Sequence, residues 1–520
     1  MLTEETARVK RNRERNFIRI GYMILAILLE IAWLYRAVTS LNKTFPWLST
    51  TVHLISFVVV LIVYGRHLDP SIKLPYIMLI MAFPIVGVML YFLSEFGASV
   101  QVMRKRQKVI DGTLFPLLQA KVGTPAGKPS KYTAVNNECS YIYHASGYPW
   151  YRGNDAHFFS SAEEGLKSQI EELKKAQKYI FMEYHAVEDA ESFAPVHQIL
   201  REKAAAGLDV RLFYDDLGSI EKVNKSFCEL LNGEGIKCRI FNNVNPALRV
   251  FMNNRDHRKL TIIDGVVGFT GGYNLSDEYF NLTHPFGEWK DTGVIVRGNA
   301  VQSMTAQYLE MWNLMQPEQD TWETLAPFFV SSPEEPDAKG IIQPYADSPL
   351  DEEHVGENVY LNMIHASEHY IYFMTPYLII PDEFSHALQL AAKRGVDVRI
   401  ITPGIPDKKI VFQETRSYYA ALATAGVRIF EYTPGFVHAK ECVVDDVAAT
   451  CGTINLDYRS FCHHFENGVF FANCAPVSEI LEDFYQTFPD CHEVTEEFNK
   501  HRSYPLRIWQ CILRLFAPLM

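Results

Sequence analysis

Paired cysteines are missing. No Cys-x-x-Cys occurs in the 520 residues, and the nine cysteines are odd in number and scattered, so no disulfide framework is expected. Cys442, Cys451 and Cys462 fall in or near a motif described below. They lack zinc-ligand spacing with the neighbouring histidines and are read as reduced core thiols. An excess of positive charge is missing too: 49 Lys and Arg stand against 61 Asp and Glu, a formal net charge of −12. That balance argues against nucleic acid as the main partner. Asp, Glu, Lys and Arg are absent altogether from two N-terminal stretches, Trp47–Tyr64 and Leu74–Leu93, and a third, Ile20–Tyr35, contains only Glu30. Consecutive runs of this kind are rare in soluble domains, and no small-residue cleavage site marks a removable signal. The N-terminal region is therefore expected to hold transmembrane helices, with Pro84 kinking Leu74–Leu93.

Basic residues constrain the orientation. Arg8, Lys10, Arg11, Arg13, Arg15 and Arg19 precede the first stretch, and Arg104, Lys105, Arg106 and Lys108 follow the third. Both flanks are then expected in the cytoplasm, which three crossings cannot satisfy. Two crossings are expected, the Glu30-containing stretch being the one that does not span, in a multi-pass protein of the cell membrane with the chain after Lys108 on the cytoplasmic side.

What is present is a motif in duplicate. The first copy reads His257-Arg-Lys259, four residues, Asp264, six residues, Gly271-Gly272-Tyr-Asn274; the second reads His438-Ala-Lys440, four residues, Asp445, six residues, Gly452-Thr453-Ile-Asn455. A five-position match repeated with one internal spacing is far more specific than a lone His-x-Lys. The residue types suit phosphodiester chemistry. A neutral His can attack phosphorus and a protonated His can hand a proton to the leaving oxygen. Lys and Asn supply fixed donors to the phosphoryl oxygens as charge builds on them. Gly271 and Gly452 would let the backbone approach a phosphate, and a strand would put His257 and Lys259, or His438 and Lys440, on one face. One copy is half a site. His257 and His438 are expected to face each other, with Lys259, Lys440, Asn274 and Asn455 around the phosphate. Each His needs its other ring nitrogen held by a carboxylate. The candidates are Asp291 downstream of the first Asn, for the first copy, and Glu466 downstream of the second. Asp264 and Asp445 belong to the catalytic signature, although ion pairs or turns are the more natural use for them. Glu183 and Tyr184, ending a strand, are candidates to point at the site. Two Lys and two Asn already answer the phosphate's charge, so no metal and no organic cofactor is expected.

The repeat extends beyond the motif. Ser161-Ala-Glu-Glu164 reads as a helix start, with Leu166, Ile170 and Leu173 on one face. Tyr179–Met182 and Asp209–Phe213 read as strands, and Ile371–Met374, with the run after Gly395, repeats them. Strands alternating with helices predict an α/β class with a parallel or mixed sheet in each half. The expected layout is a membrane anchor over 1–108, a connecting region over 109–148, a first domain over 149–316, a linker over 317–348, a second domain over 349–500 and an amphipathic helix over 501–520. In that last helix Leu506, Trp509, Leu513 and Phe516 form the apolar stripe, suited to packing on the domain or to lying at a membrane interface.

The duplicated HxK(x)4D(x)6GxxN pattern resembles the phospholipase D superfamily. Arg255-Asp-His257-Arg-Lys259, Trp289-Lys-Asp291-Thr292, Thr375-Pro376-Tyr377 and Asn455-Leu-Asp457-Tyr-Arg459-Ser460-Phe461, with the hydrophobic N-terminus, look like bacterial cardiolipin synthases. The likeness runs over nearly the whole chain. Two departures stand out: three hydrophobic segments where many members have two, and His463 and His464 where the family has other residues. Metal binding by that pair is not expected, since adjacent strand residues point to opposite faces. The resemblance implies two α/β/α sandwich domains about a pseudo-twofold axis. It also implies attack by the first-motif His, and phosphatidylglycerol and membrane lipids as partners. The implied reaction is phosphatidyl transfer through a phosphatidyl-histidine, giving cardiolipin and glycerol. A hydrolase, or a transferase using another alcohol, differs only in the acceptor.

Overall fold

The structure, a computed structural model, describes residues 36, 46–66, 70–96, 98–122, 132–242, 253–315, 320–331, 340–499 and 504–517. Two sheets follow one strand path. In the first half β1 (Asp155–Phe159), β2 (Tyr179–Tyr184), β3 (Asp209–Asp215), β4 (Lys237–Phe241), β6 (Lys259–Ile263), β7 (Val267–Gly271) and β9 (Gly293–Arg297) lie in the order β1-β9-β7-β6-β2-β3-β4. In the second half the main path runs β10-β19-β17-β16-β11-β13-β14-β20. Its strands are β10 (Ile341–Asp347), β11 (Tyr370–Met374), β13 (Asp397–Pro403), β14 (Arg428–Tyr432), β16 (Glu441–Val444), β17 (Ala448–Gly452), β19 (His464–Ala472) and β20 (Cys491–Glu493). Apart from β20 the two orders match strand for strand. In each half three neighbours are parallel (β2-β3-β4 and β11-β13-β14) and the rest antiparallel, as the alternating pattern predicts.

The short strands β5 (Arg255–Asp256), β8 (Glu288–Lys290), β12 (Leu378–Ile379), β15 (Gly435–Val437) and β18 (Leu456–Asp457) lie beside these sheets, and two of their pairings join the halves. β5 runs parallel to the start of β19, and β15 runs parallel to β8. This reciprocal exchange is what a pseudo-twofold axis produces.

The helices of the N-terminal region are α1 (Pro46–Gly65), α2 (Pro70–Ala82), α3 (Pro84–Phe96), α4 (Ala98–Val122) and α5 (Thr133–Ser146). The first half carries α6 (Ala162–Lys175), α7 (Ala194–Ala205), α8 (Lys225–Gly233) and α9 (Val301–Leu314), followed by the single turn α10 (Trp322–Leu325). The second half carries α11 (Val355–Ala366), α12 (Asp382–Lys393), α13 (Lys409–Thr424), α14 (Tyr458–Cys462), α15 (Ala475–Thr487), α16 (Thr495–Asn499) and α17 (Tyr504–Phe516). α6 starts where its sequence says: the Ser161 hydroxyl accepts from the Glu164 amide, and Leu166 and Leu173 are buried.

Three expectations need correction. The stretch Leu74–Leu93 is a hairpin and not one kinked span. Pro84 has no amide hydrogen to extend the ladder of α2; α2 ends at Ala82, α3 begins at Pro84, and the two pack on each other and on α1 around Val59, Val63, Ile80 and Tyr91. Among the described residues no helix is long and apolar enough to cross a membrane; the stretch Ile20–Tyr35 lies outside them. The region 109–148 is no mere connector. α4 and α5 bury Leu114, Leu117, Leu118, Cys139 and Ile142 in the main core. α4 also covers α9, Gln107 donating to Glu310 at 2.5 Å and Arg106 to the Leu314 carbonyl at 2.7 Å. That cover explains why every residue of α9 is buried. Lastly, the linker expected over 317–348 ends early, because Ile341–Asp347 forms the fully buried strand β10.

Candidate active site

Each motif His follows a strand that pairs with the other half. β5 delivers His257, whose amide donates to the Phe465 carbonyl at 2.9 Å; β15 delivers His438, whose amide donates to the Lys290 carbonyl at 2.7 Å. His257 and His438 thus sit in the short gaps between β5 and β6 and between β15 and β16, not on a continuous strand face with their lysines. Both line one cavity of about 480 Å³, with Asn274 and Asn455.

The exchange decides which carboxylate holds which ring. His257 Nδ1 lies 2.9 and 3.0 Å from the two Glu466 oxygens. His438 Nδ1 lies 2.7 Å from Asp291 Oδ2. From the sequence, Asp291 is expected to serve the first copy and Glu466 the second; in the structure the pairs are crossed. A carboxylate can only accept, so each His is assigned its proton on Nδ1, leaving the Nε2 lone pair free. Burial, reinforced by Lys259, His185 and Lys440, drives the His257 imidazole well below its usual range. Burial, then Lys440, brings His438 to about 4. For Asp291 burial works upward, but His438 and Lys440 outweigh it and hold the carboxylate below its usual range.

Lys259 donates to the His257 carbonyl at 2.6 Å. Lys440 donates to the His438 carbonyl, and its Nζ stands 2.8 Å from His438 Nδ1. Burial lowers Lys259 to about 8 and Lys440 to about 7, against the pull of Glu466 on the first and Asp291 on the second. Asn274 is fixed by the Ala186 amide and the Tyr279 hydroxyl, each at 2.9 Å. Asn455 keeps a buried Oδ1 without a hydrogen-bond partner.

Asp264 and Asp445, grouped with the catalytic residues, do other work. Asp264 accepts from the amides of Gln177, Lys178 and Tyr179 at 2.7–2.9 Å, and Asp445 from those of Glu368, His369 and Tyr370 at 2.7–2.9 Å. Each ties the hairpin after its motif strand to the start of the neighbouring β2 or β11. Gly271 and Gly452 also serve the sheet: a Cβ there would stand 2.4 Å from the Thr292 or the Asn467 carbonyl oxygen, so both are set by close strand packing. Glu183 is buried beside Asp256 and Tyr184 bonds Gln169 and Thr261; the next residue, His185, is the one that lines the cavity.

His185 and His464 were not among the expected site residues. Their rings lie 5.0 and 5.2 Å from that of His257. The doubled His463-His464 departure was the only sequence signal, and it pointed at a metal question. His257, His464 and Glu466 do offer ligand atoms within 4.8 Å of one another. Yet Arg459 Nε donates to His464 Nε2 at 3.2 Å, leaving the His464 proton on Nδ1, 3.5 Å from Glu466. Both nitrogens that would bind a cation carry protons, with two lysines close by. Glu466 is held by the His257 ring, with His464 Nδ1 3.5 Å away and itself without a hydrogen-bond partner.

Beyond geometry, the profile of the cardiolipin synthase, PLD-like domain matches twice, over residues 169–312 and 360–488. The chain is 35% identical over 461 residues to an uncharacterized protein of Streptococcus mutans, covering 89% of this chain and 99% of that one. It is 32% identical to the cardiolipin synthase of Geobacillus thermodenitrificans, with 98% of this chain and 100% of the relative covered. A phosphatidylserine synthase structure from Haemophilus influenzae shares the fold, with a TM-score of 0.54 at 15% identity over 74% of this chain and 98% of that one. With both halves matched by the profile and nearly the whole length by a relative of that name, the chain belongs to the cardiolipin synthase family of phospholipase D-like proteins.

Proposed function

We propose that this phosphatidyltransferase of the cardiolipin synthase family joins two phosphatidylglycerols by double displacement, with His257 as nucleophile and His438 as acid and then base. The observation that carries the reading is the crossed pair of His–carboxylate bonds, which leaves two Nε2 atoms free in one cavity.

His257 is neutral and its Nε2 lone pair attacks the phosphorus of the first phosphatidylglycerol. The P–O bond to the glycerol head group breaks, and His438, which takes up a proton on Nε2 from solvent as the anionic substrate binds, gives that proton to the departing oxygen. An anionic phosphodiester beside His438 raises the affinity of that ring for the proton it must carry. Lys259, Lys440, Asn274 and Asn455 hold the equatorial oxygens. The head-group hydroxyl of a second phosphatidylglycerol then loses its proton to His438 and attacks the phosphatidyl-histidine, releasing cardiolipin and freeing His257. Asp291 and Glu466 fix tautomer and ring orientation. We place the enzyme at the cell membrane, attached through its apolar N-terminal region, with the catalytic halves on the cytoplasmic side.

Purified protein incubated in phosphatidylglycerol vesicles is expected to yield cardiolipin and glycerol in equal amounts, measured by mass spectrometry of lipids and soluble products. Phosphatidic acid as the sole lipid product would replace the transferase reading with hydrolysis.

A further inference from the structure

The rim of the cavity has a chemistry that the reaction does not explain. Leu217, Lys408, Val411 and Ala517 are among the residues lining the cavity, and large apolar side chains stand in solvent on the segments that carry Lys408 and Ala517. Ile405 and Ile410 flank the exposed Lys408 and Lys409. On α17, which leads into Ala517, Ile508 is 62% exposed, Trp509 44% and Ile512 45%. The expected stripe divides: Leu513 is buried while Trp509 faces outward. α17 is thus apolar on two sides, one of them already used.

It is nevertheless firmly seated. Trp509 Nε1 donates to Gln413 Oε1 at 2.8 Å, and the Arg514 guanidinium lies 4.1 Å from the Tyr418 ring centroid, both partners belonging to α13. A tryptophan whose N–H is satisfied while its ring stays outside suits the boundary between water and lipid. α17 also touches α2, so the rim is continuous with the apolar helices α1–α3, which expose Leu54, Phe57, Leu61, Met81 and Phe92.

We propose that this rim is a membrane-contact surface: α17 and the 404–411 segment lie on a leaflet containing anionic phospholipid, and the substrate slides sideways from that leaflet into the cavity. The proposal rests on the phospholipid substrate assigned above. Exposed apolar groups this close together mark an interaction site. Lipid is the occupant chosen because the cavity must receive a two-chain molecule, because the surface continues into the apolar helices, and because Lys408 and Lys409 match an anionic head group.

The test uses the full chain and two readouts. A fluorophore on the exposed Cys511 of α17 is expected to be quenched by brominated lipids in phosphatidylglycerol vesicles, whether or not turnover occurs. This keeps failure of the inference distinct from failure of the assigned reaction. Protection of the probe without quenching, growing with protein concentration, would mean a second copy covers the face and would overturn the proposal. In Ile508→Glu/Ile512→Glu, with melting temperature checked, the ratio of turnover on vesicles to turnover on monomeric short-chain phosphatidylglycerol is expected to fall at least about tenfold. An unchanged ratio would also overturn it.

Discussion

The two sides of the cavity share a backbone and differ in their walls. Around His438 stand aromatic rings: Tyr279, Trp289 and Phe436, with centroids 5.2, 5.4 and 6.0 Å away. Around His257 stand other imidazoles, His185 and His464. The carboxylate supports differ as well. Glu466 accepts from Thr453 at 2.5 Å and Ser460 at 2.7 Å, whereas Asp291 accepts from the Thr292 amide at 3.0 Å. The one-residue difference between Gly271-Gly272 and Gly452-Thr453 accounts for part of this: Thr453 supplies a hydroxyl, while at Gly272 a Cβ would stand 2.0 Å from Asp291 Oδ1. Aromatic faces welcome a cation and a crowd of basic groups repels one. Duplication gave two equal histidines, both neutral in the free enzyme; once an anionic phosphodiester is bound, the aromatic faces beside His438 tolerate a charged ring better than the imidazoles beside His257 do, which is the division that the proposed acid and nucleophile need.

The sharpest way to break this comparison is to remove each ring. His257→Ala and His438→Ala are each expected to lower turnover at least about a thousandfold, with the double variant little worse than either. With a nitrophenyl phosphodiester, whose leaving group needs no proton, His438→Ala should still accumulate a covalent adduct and His257→Ala none. Peptide mapping that placed the adduct on His438 would reverse the roles.

A smaller effect tests the crossing itself. Glu466→Gln and Asp291→Asn are each expected to cost roughly a hundredfold. Glu466→Gln should slow adduct formation with the nitrophenyl substrate, while Asp291→Asn should spare it and slow natural lipid turnover. Identical effects of both on both substrates would show that each half does not serve the other's histidine as described.

The smallest effect is a pH profile. Both rings are neutral well below pH 6.5 in the free enzyme, so protonation of the nucleophile His257 should not limit kcat/KM down to near pH 5, the His438 proton being taken up with the anionic substrate. Lysines at about 7 and about 8 lose their charge as pH rises through those values. The alkaline limb should therefore begin near pH 7 and fall by roughly tenfold per unit or more. A flat profile to pH 9 would mean that the lysine charges are not needed.

Much of this was legible beforehand. Repeated strands, the helix start at Ser161 and the two HxK motifs follow from local periodicity and spacing. The crossing of Asp291 and Glu466 does not, because it depends on β5 and β15 pairing across the halves, a long-range choice that leaves no local mark. His185 looked like an ordinary residue after a strand. Leu74–Leu93 read as one span because hydropathy is blind to where Pro84 turns the chain. Asp264 and Asp445 read as catalytic by company, although their partners are amides 85 or more positions away for Tyr179 and 75 or more for Tyr370.

The reciprocal pairing also limits how the enzyme can move. Arg258 emerges from the first half into a fully buried position, donating to Glu310 at 3.1 Å and to the carbonyls of Glu466 and Asp347 at 3.2 and 3.3 Å. Lys290 grips Asp483 of the second half at 2.6 Å. Any rotation that opened the halves like a clam would strain these bonds and the two that set the histidine tautomers at the same time. Breathing and chemistry compete for the same contacts. A two-chain lipid must therefore thread a fixed frame, and whatever yields to admit it has to be a side chain or loop at the mouth rather than the seam between the halves.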